Sequence, residues 1–130
     1  MLRNLATALI EHKRIQTTEA RAKELSRYVE SLIEHAKKAK AATGAEALHH
    51  KRMVLSKIRS RRDPDSTPGR ARSPHGLGVA RDRTVANQLF DQVASRYLEA
   101  GKERKGGYTR ITRLQNRKGD GALVVLVELV

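Results

Sequence analysis

The run Leu123-Val124-Val125-Leu126-Val127 most restricts what this chain can fold into. Successive side chains of a strand point to opposite faces, so a strand apolar at every position belongs in the middle of a sheet with helices against it. Upstream, Asn116 to Gly121 reads as a turn and Tyr108 to Leu114 as strand-like, so the chain closes on a hairpin. Lys13 to Thr17 is brief and extended, a candidate third strand for the same small sheet.

Helices follow from apolar spacing. Leu2, Leu5, Ala6, Leu9 and Ile10 repeat at three and four residues, which predicts a short helix over Leu2 to His12. Ala22, Leu25, Val29, Leu32, Ile33 and Ala36 form one stripe of a long amphipathic helix that runs to about Lys40. Thr17 and Thr18 supply its N-cap, and Glu19 sits in the first turn, where the helix dipole favours it. The polar face mixes Arg21, Lys23, Glu24, Arg27, Glu30, Glu34 and Lys37, a pattern expected of solvated ion pairs rather than of a ligand site. Thr43-Gly44 breaks the helix. Ala45 to Arg59 reads as another, with Leu48, Val54, Leu55 and Ile58 inward, and Arg81 to Ala100 as a fourth with Val85, Leu89, Phe90, Val93, Ala94 and Tyr97 inward. Between these two helices, residues 60–78 hold all three prolines and several arginines without periodicity, and read as a long loop. The expected fold is α+β: a compact single domain over residues 1–130, about four helices packed on a small mixed or antiparallel sheet with a C-terminal hairpin.

Composition then separates function classes. Lys and Arg number 27 against 14 Asp and Glu, giving a net charge of +13. A pI near 10.8 is that of a nucleic-acid-binding domain, because so much like charge repels itself until a polyanion neutralises it. There is no cysteine, which excludes a disulfide scaffold and any cysteine-based zinc site. No stretch approaches the roughly 20 apolar residues of a membrane span. The sequence contains no phosphate-binding Walker loop, no nucleophile elbow, no His-Glu-x-x-His and no dinucleotide fingerprint, so no enzyme, cofactor or small-molecule substrate is expected. His12, His35, His49, His50 and His75 lack metal-ligand spacing and read as ordinary surface or half-buried histidines.

Where the charge concentrates, the residue types suit RNA. Gly106-Gly107-Tyr108-Thr109-Arg110 combines glycines that let the backbone approach a surface, a ring for stacking and a guanidinium. The same glycines suit a turn leading into a strand, and both readings can hold at once. Arg104, Lys105, Arg113, Arg117 and Lys118 flank the motif. Arg59, Arg61, Arg62, Arg70, Arg72, Arg81 and Arg83 form a second basic group made only of arginine, whose planar forks suit phosphate and base stacking; the alternatives are a merely solvated loop, or one that orders only on RNA. His12-Lys13-Arg14 at a helix end reads as an anion contact or as compensation of the helix dipole.

Several ordered segments resemble a known family. Met1-Leu2-Arg3-Asn4-Leu5-Ala6, Leu9-Ile10-Glu11-His12, Arg14-Ile15-Gln16-Thr17-Thr18, Ala22-Lys23-Glu24-Leu25 and Leu32-Ile33 are similar to the N-terminal half of the L-seventeen family of bacterial-type large-subunit ribosomal proteins. Leu89-Phe90, Arg96-Tyr97, Gly106 to Ile111, Gly119-Asp120 and Val127-Glu128-Leu129-Val130 follow that family's closing pattern in order. The resemblance implies a structural protein of the ribosome that binds large-subunit ribosomal RNA near the nascent-chain exit, beside neighbouring large-subunit ribosomal proteins. It also implies a bacterial cytoplasm, with mitochondrion or plastid as alternatives. Carried over by position, the implied RNA-facing residues are Arg3, Asn4, His12, Arg14, Thr17, Thr18, Lys23, Tyr108, Thr109 and Arg110. Two departures stand out: the sequence starts at Met1 without the basic arm that family members usually carry ahead of the Leu-Arg-Asn segment, which leaves open a true loss or a different start site, and the loop over residues 61–78 is longer than the family pattern. A basic DNA-binding protein, nucleoid or regulatory, is the competing reading. Against it, the basic residues spread over loops, turns and helix ends instead of one recognition-helix face.

Overall fold

The computed structural model describes residues 1–58, 84–98 and 104–130. Its elements are α1 (Leu2–His12), β1 (Arg14–Thr18), α2 (Glu19–Ala41), α3 (Gly44–Lys57), α4 (residues 84–98), β2 (Thr109–Asn116) and β3 (Leu123–Leu129). The three strands form one antiparallel sheet in the order β1-β3-β2, so the apolar C-terminal run is the central strand and the Lys13–Thr17 segment does contribute an edge. The fold is α+β, with four helices and this sheet among the described residues.

Burial alternates along β3. Val125 and Val127 are fully buried against the helices, whereas Val124, Leu126 and Glu128 are half-buried on the other face. Helix α2 is the keel, in contact with every other element. All six positions of its expected stripe are buried, together with Leu9 and Ile10 of α1 and Val85, Leu89, Val93, Ala94 and Tyr97 of α4. These side chains join Tyr108, Val125 and Val127 in one core.

Four local expectations are corrected. Thr18 is the N-cap of α2, but its side chain makes no capping hydrogen bond. On α3, Leu48 is 48% exposed and Ala47 is buried in its place, so the inward face of this helix is rotated by one position from the expected one at its start. Residues Leu89–Val93 of α4 form a π turn, an extra residue that composition does not announce. Lys37, placed on the polar face of α2 by sequence, is buried.

The hairpin between β2 and β3 closes through Arg117, whose N–H donates to Ala122 O at 2.9 Å and whose carbonyl accepts from Gly121 N–H at 3.1 Å. The register slips between Arg113 and Gln115, leaving Leu114 as the unpaired residue of a bulge, 46% exposed.

Candidate nucleic-acid interface

Tyr108 organises the start of β2. Its ring is fully buried and tilts against Tyr97, with centroids 4.8 Å apart. The hydroxyl has one proton, and the Glu34 carboxylate is the strongest acceptor within reach of it. The Arg104 carbonyl, 2.8 Å from the same hydroxyl, receives its hydrogen bond from Lys37 Nζ at 2.6 Å. Burial, followed by the hydrogen bond to Glu34 and its charge, holds the Tyr108 hydroxyl far above the ordinary phenol range, so it stays neutral. The buried ammonium of Lys37 and the ring of Tyr108 therefore fix one end of the Arg104-Lys105-Gly106-Gly107 turn, and all four of those residues are exposed. Gly107 has φ +67, the left-handed conformation that glycine adopts without a Cβ penalty.

Thr109, the next residue, also turns inward. Ser26 Oγ lies 2.6 Å from its hydroxyl, which donates to Glu30 Oε1 at 3.2 Å. Farther along, Arg113 reaches Glu19 Oε1 at 3.5 Å, and Glu19 also pairs with Lys23 at 3.1 Å. The acidic flank of α2 thus runs beside β2 and ties it down, whereas its mixed charge pattern alone pointed to solvent.

Arg110 points the other way and is exposed. Register places both Arg14 of β1 and Arg110 of β2 opposite Glu128 of the central strand, making one row across the outer sheet face. His12, Lys13, Arg14 and Arg110 line one cleft there, together with Arg96 of α4. Sequence reasoning missed Arg96 as a site residue. Its only signal is that it precedes Tyr97, whose burial fixes the rotation of α4 without revealing which strands lie nearby.

The remaining expected residues fall into three groups. Arg3 and Asn4 are exposed on the first turn of α1, and Lys23 is exposed on α2. Arg117 and Lys118 are exposed at the hairpin tip, where Arg117 pairs with Asp120 at 3.2 Å. Arg59, Arg61, Arg62 and the 60–78 loop, with Arg70, Arg72 and His75, lie outside the described residues, as do Arg81 and Arg83.

Two assignments need correction. The Tyr108 ring cannot stack on a base, because the core encloses it completely. Thr17 is 9% exposed and pairs with Val125 on the helix-facing side of the sheet, so its hydroxyl is not presented to a partner, and Thr18 beside it is half-buried. The histidines also form an unexpected pair: His35 Nδ1 and His50 Nδ1 approach to 3.2 Å across α2 and α3. Among the described residues, no three His, Asp or Glu side chains are placed to hold a metal ion.

Exposed cations from α1, α4, β1, β2 and the hairpin tip, set on a core held by buried tyrosines, make this a strongly basic α+β protein whose surface charge suits a polyanion. A family model described as Ribosomal protein L17 matches residues 1–130, and the chain belongs to that family. It is a ribosomal structural protein and not an enzyme. The chain is similar to the large ribosomal subunit protein bL17 of Listeria innocua, 44% identical over 132 residues, covering 100% of this chain and 89% of the relative. The bL17 of Listeria monocytogenes serotype 4a is 43% identical with the same coverage, and that of Staphylococcus epidermidis is 41% identical, covering 100% of this chain and 88% of the relative.

Proposed function

We propose that this chain is a single-domain structural constituent of the large ribosomal subunit. It binds large-subunit ribosomal RNA near the nascent-chain exit and stabilises the folded RNA beside neighbouring large-subunit proteins, in a bacterial cytoplasm. Relatives named as large-subunit proteins over the full length of the chain support this reading. The structural observation that carries it is the Arg104–Gly107 turn, an exposed basic segment anchored from below by Lys37 at the Arg104 carbonyl and by the buried Tyr108 that follows it. A turn ordered before binding loses little conformational freedom when it meets a phosphate backbone. The contacts are of the kind that position a protein on RNA by shape and phosphate, without a base-reading helix.

Fractionating a lysate of the source cells on a sucrose gradient in high salt tests this function. Co-migration with the large subunit through the salt wash is expected. Migration with DNA would favour the nucleoid or regulatory reading, and recovery at the top of the gradient would exclude an integral ribosomal role. On the purified protein, Arg104→Ala together with Lys105→Ala should weaken RNA retention in a filter assay at moderate salt without moving the melting temperature.

A further inference from the structure

We infer that the cleft at the end of the sheet is a phosphate grip for the RNA backbone, and that Arg96 is one of its binding residues. This inference rests on the ribosomal RNA-binding reading and adds a place and a residue set to it. The cleft is open and measures about 370 Å³. His12, Lys13, Arg14, Arg96 and Arg110 line it together with one carboxylate side chain, Glu128.

Three features make this a built site and not a chance meeting of surface charges. First, Lys13 has φ +64, the only positive φ on a non-glycine residue among those described. The left-handed conformation is disfavoured for a residue with a Cβ, so surrounding contacts must hold it. They do: the Lys13 N–H donates to Leu9 O at 2.8 Å, and its carbonyl accepts from Leu129 N–H at 3.0 Å. This tight corner sends the chain from α1 straight into β1, so that His12, Lys13 and Arg14 all line the cleft. Second, α4 is tied to the same strand end, because the Tyr97 hydroxyl donates to Val130 O at 2.7 Å. That bond delivers the neighbouring Arg96 to the cleft. Third, Arg14 and Arg110 flank Glu128 in register from opposite sides. The carboxylate offsets repulsion between two guanidinium groups that would otherwise push apart.

The guanidinium groups of Arg14, Arg96 and Arg110 come from three different elements and share one opening. Guanidinium forks match the two non-bridging oxygens of a phosphodiester, and Lys13 adds a point charge. A backbone running past the sheet end would place a phosphate among them while its bases point away.

The test is filter binding of the full chain to a large-subunit ribosomal RNA transcript over a range of salt, with melting temperatures in parallel. Arg96→Ala and Arg14→Ala should each weaken binding on the order of tenfold at moderate salt, as removal of a charge-assisted hydrogen bond does. Each should also flatten the slope of log affinity against log salt by about 0.7 to 0.9 for every phosphate no longer neutralised. Arg52→Ala, on the exposed side of α3 away from the cleft, should leave both unchanged. If both cleft variants bind like wild type while wild type keeps its salt-dependent RNA binding, the cleft assignment is wrong and the ribosomal reading stands. Failure of wild type to bind the transcript would overturn both. An equal weakening in Arg52→Ala would reduce the cleft to general charge and overturn it as a grip. Binding of a poly-glutamate peptide that needs Arg96, with RNA binding unaffected, would assign the cleft to an acidic protein instead.

Discussion

The ammonium of Lys37 lies 3.1 Å from the hydroxyl of Tyr108, and both side chains are buried where α2 meets the start of β2. Glu34, one turn before Lys37 on α2, accepts the hydrogen bond of the tyrosine hydroxyl, and Lys37 donates to the Arg104 carbonyl. A buried cation is costly unless paired and hydrogen-bonded, and this trio satisfies that condition.

Tyr108 therefore belongs to the fold before it belongs to the interface. Tyr108→Ala should cost about 3 to 5 kcal/mol of stability, as other large aromatic truncations in cores do. Tyr108→Phe keeps the ring but removes a partner from Lys37 and Glu34, and should cost about 1 to 3 kcal/mol. Urea melts of the two variants check the order, and an alanine variant as stable as wild type would place the ring outside the core.

Stability should fall at alkaline pH. Burial, and for Tyr108 also its bond to Glu34, raises the folded-state hydroxyl pKa of both Tyr108 and Tyr97 above the ordinary tyrosine value. A raised pKa contributes stability that is fully present below the unfolded value of about 10 and is lost as pH rises through the folded value. Denaturant midpoints should therefore hold up to about pH 9 and decline once the pH passes about 10. The decline should be smaller in Tyr108→Phe, which has one fewer buried phenol to ionise.

An acid-side loss is expected from the histidine pair. Burial first, and then the charges of Lys57, His50, Lys38 and His49, lower the pKa of His35. The close Nδ1 approach to His50 also needs one nitrogen without a proton, since two N–H groups would repel. A lowered histidine pKa gives stability that is complete above the unfolded value of about 6.5 and is lost as pH falls through the folded value. His35→Gln should narrow the difference in melting temperature between neutral and mildly acidic buffer. An unchanged difference would mean that other groups govern the acid limb.

Val125 tests the central strand. It is fully buried between Thr17 of β1 and Arg113 of β2 in the sheet register. Val125→Asp places an unpaired carboxylate in the core and should cost at least 4 kcal/mol or so, enough to unfold a domain of ordinary stability. Circular dichroism with a cooperative melt near that of wild type would contradict the packing.

Much of this protein was legible in the chain itself. The apolar run of β3 dictated a central strand, because no edge position could cover it. The stripes of α1, α2 and α4 dictated their buried faces, because helical period alone selects them. Net charge and the basic turn pointed to a polyanion partner, and the family match agrees with that direction. Tertiary structure decided what each polar residue does. Periodicity gives no sign that Lys37 is enclosed, that Glu30 and Glu34 serve β2, or that His35 meets His50. Nor does it show that Tyr108 faces the core, since a residue at a strand's first position can turn either way until a helix lies against it. Arg14, Arg96 and Arg110 are far apart in sequence and become neighbours only through β3, which pairs with one strand on each side and is tied by its end to α4. Local pattern fixes which elements form, and side-chain partners drawn from distant elements fix which groups remain free to bind.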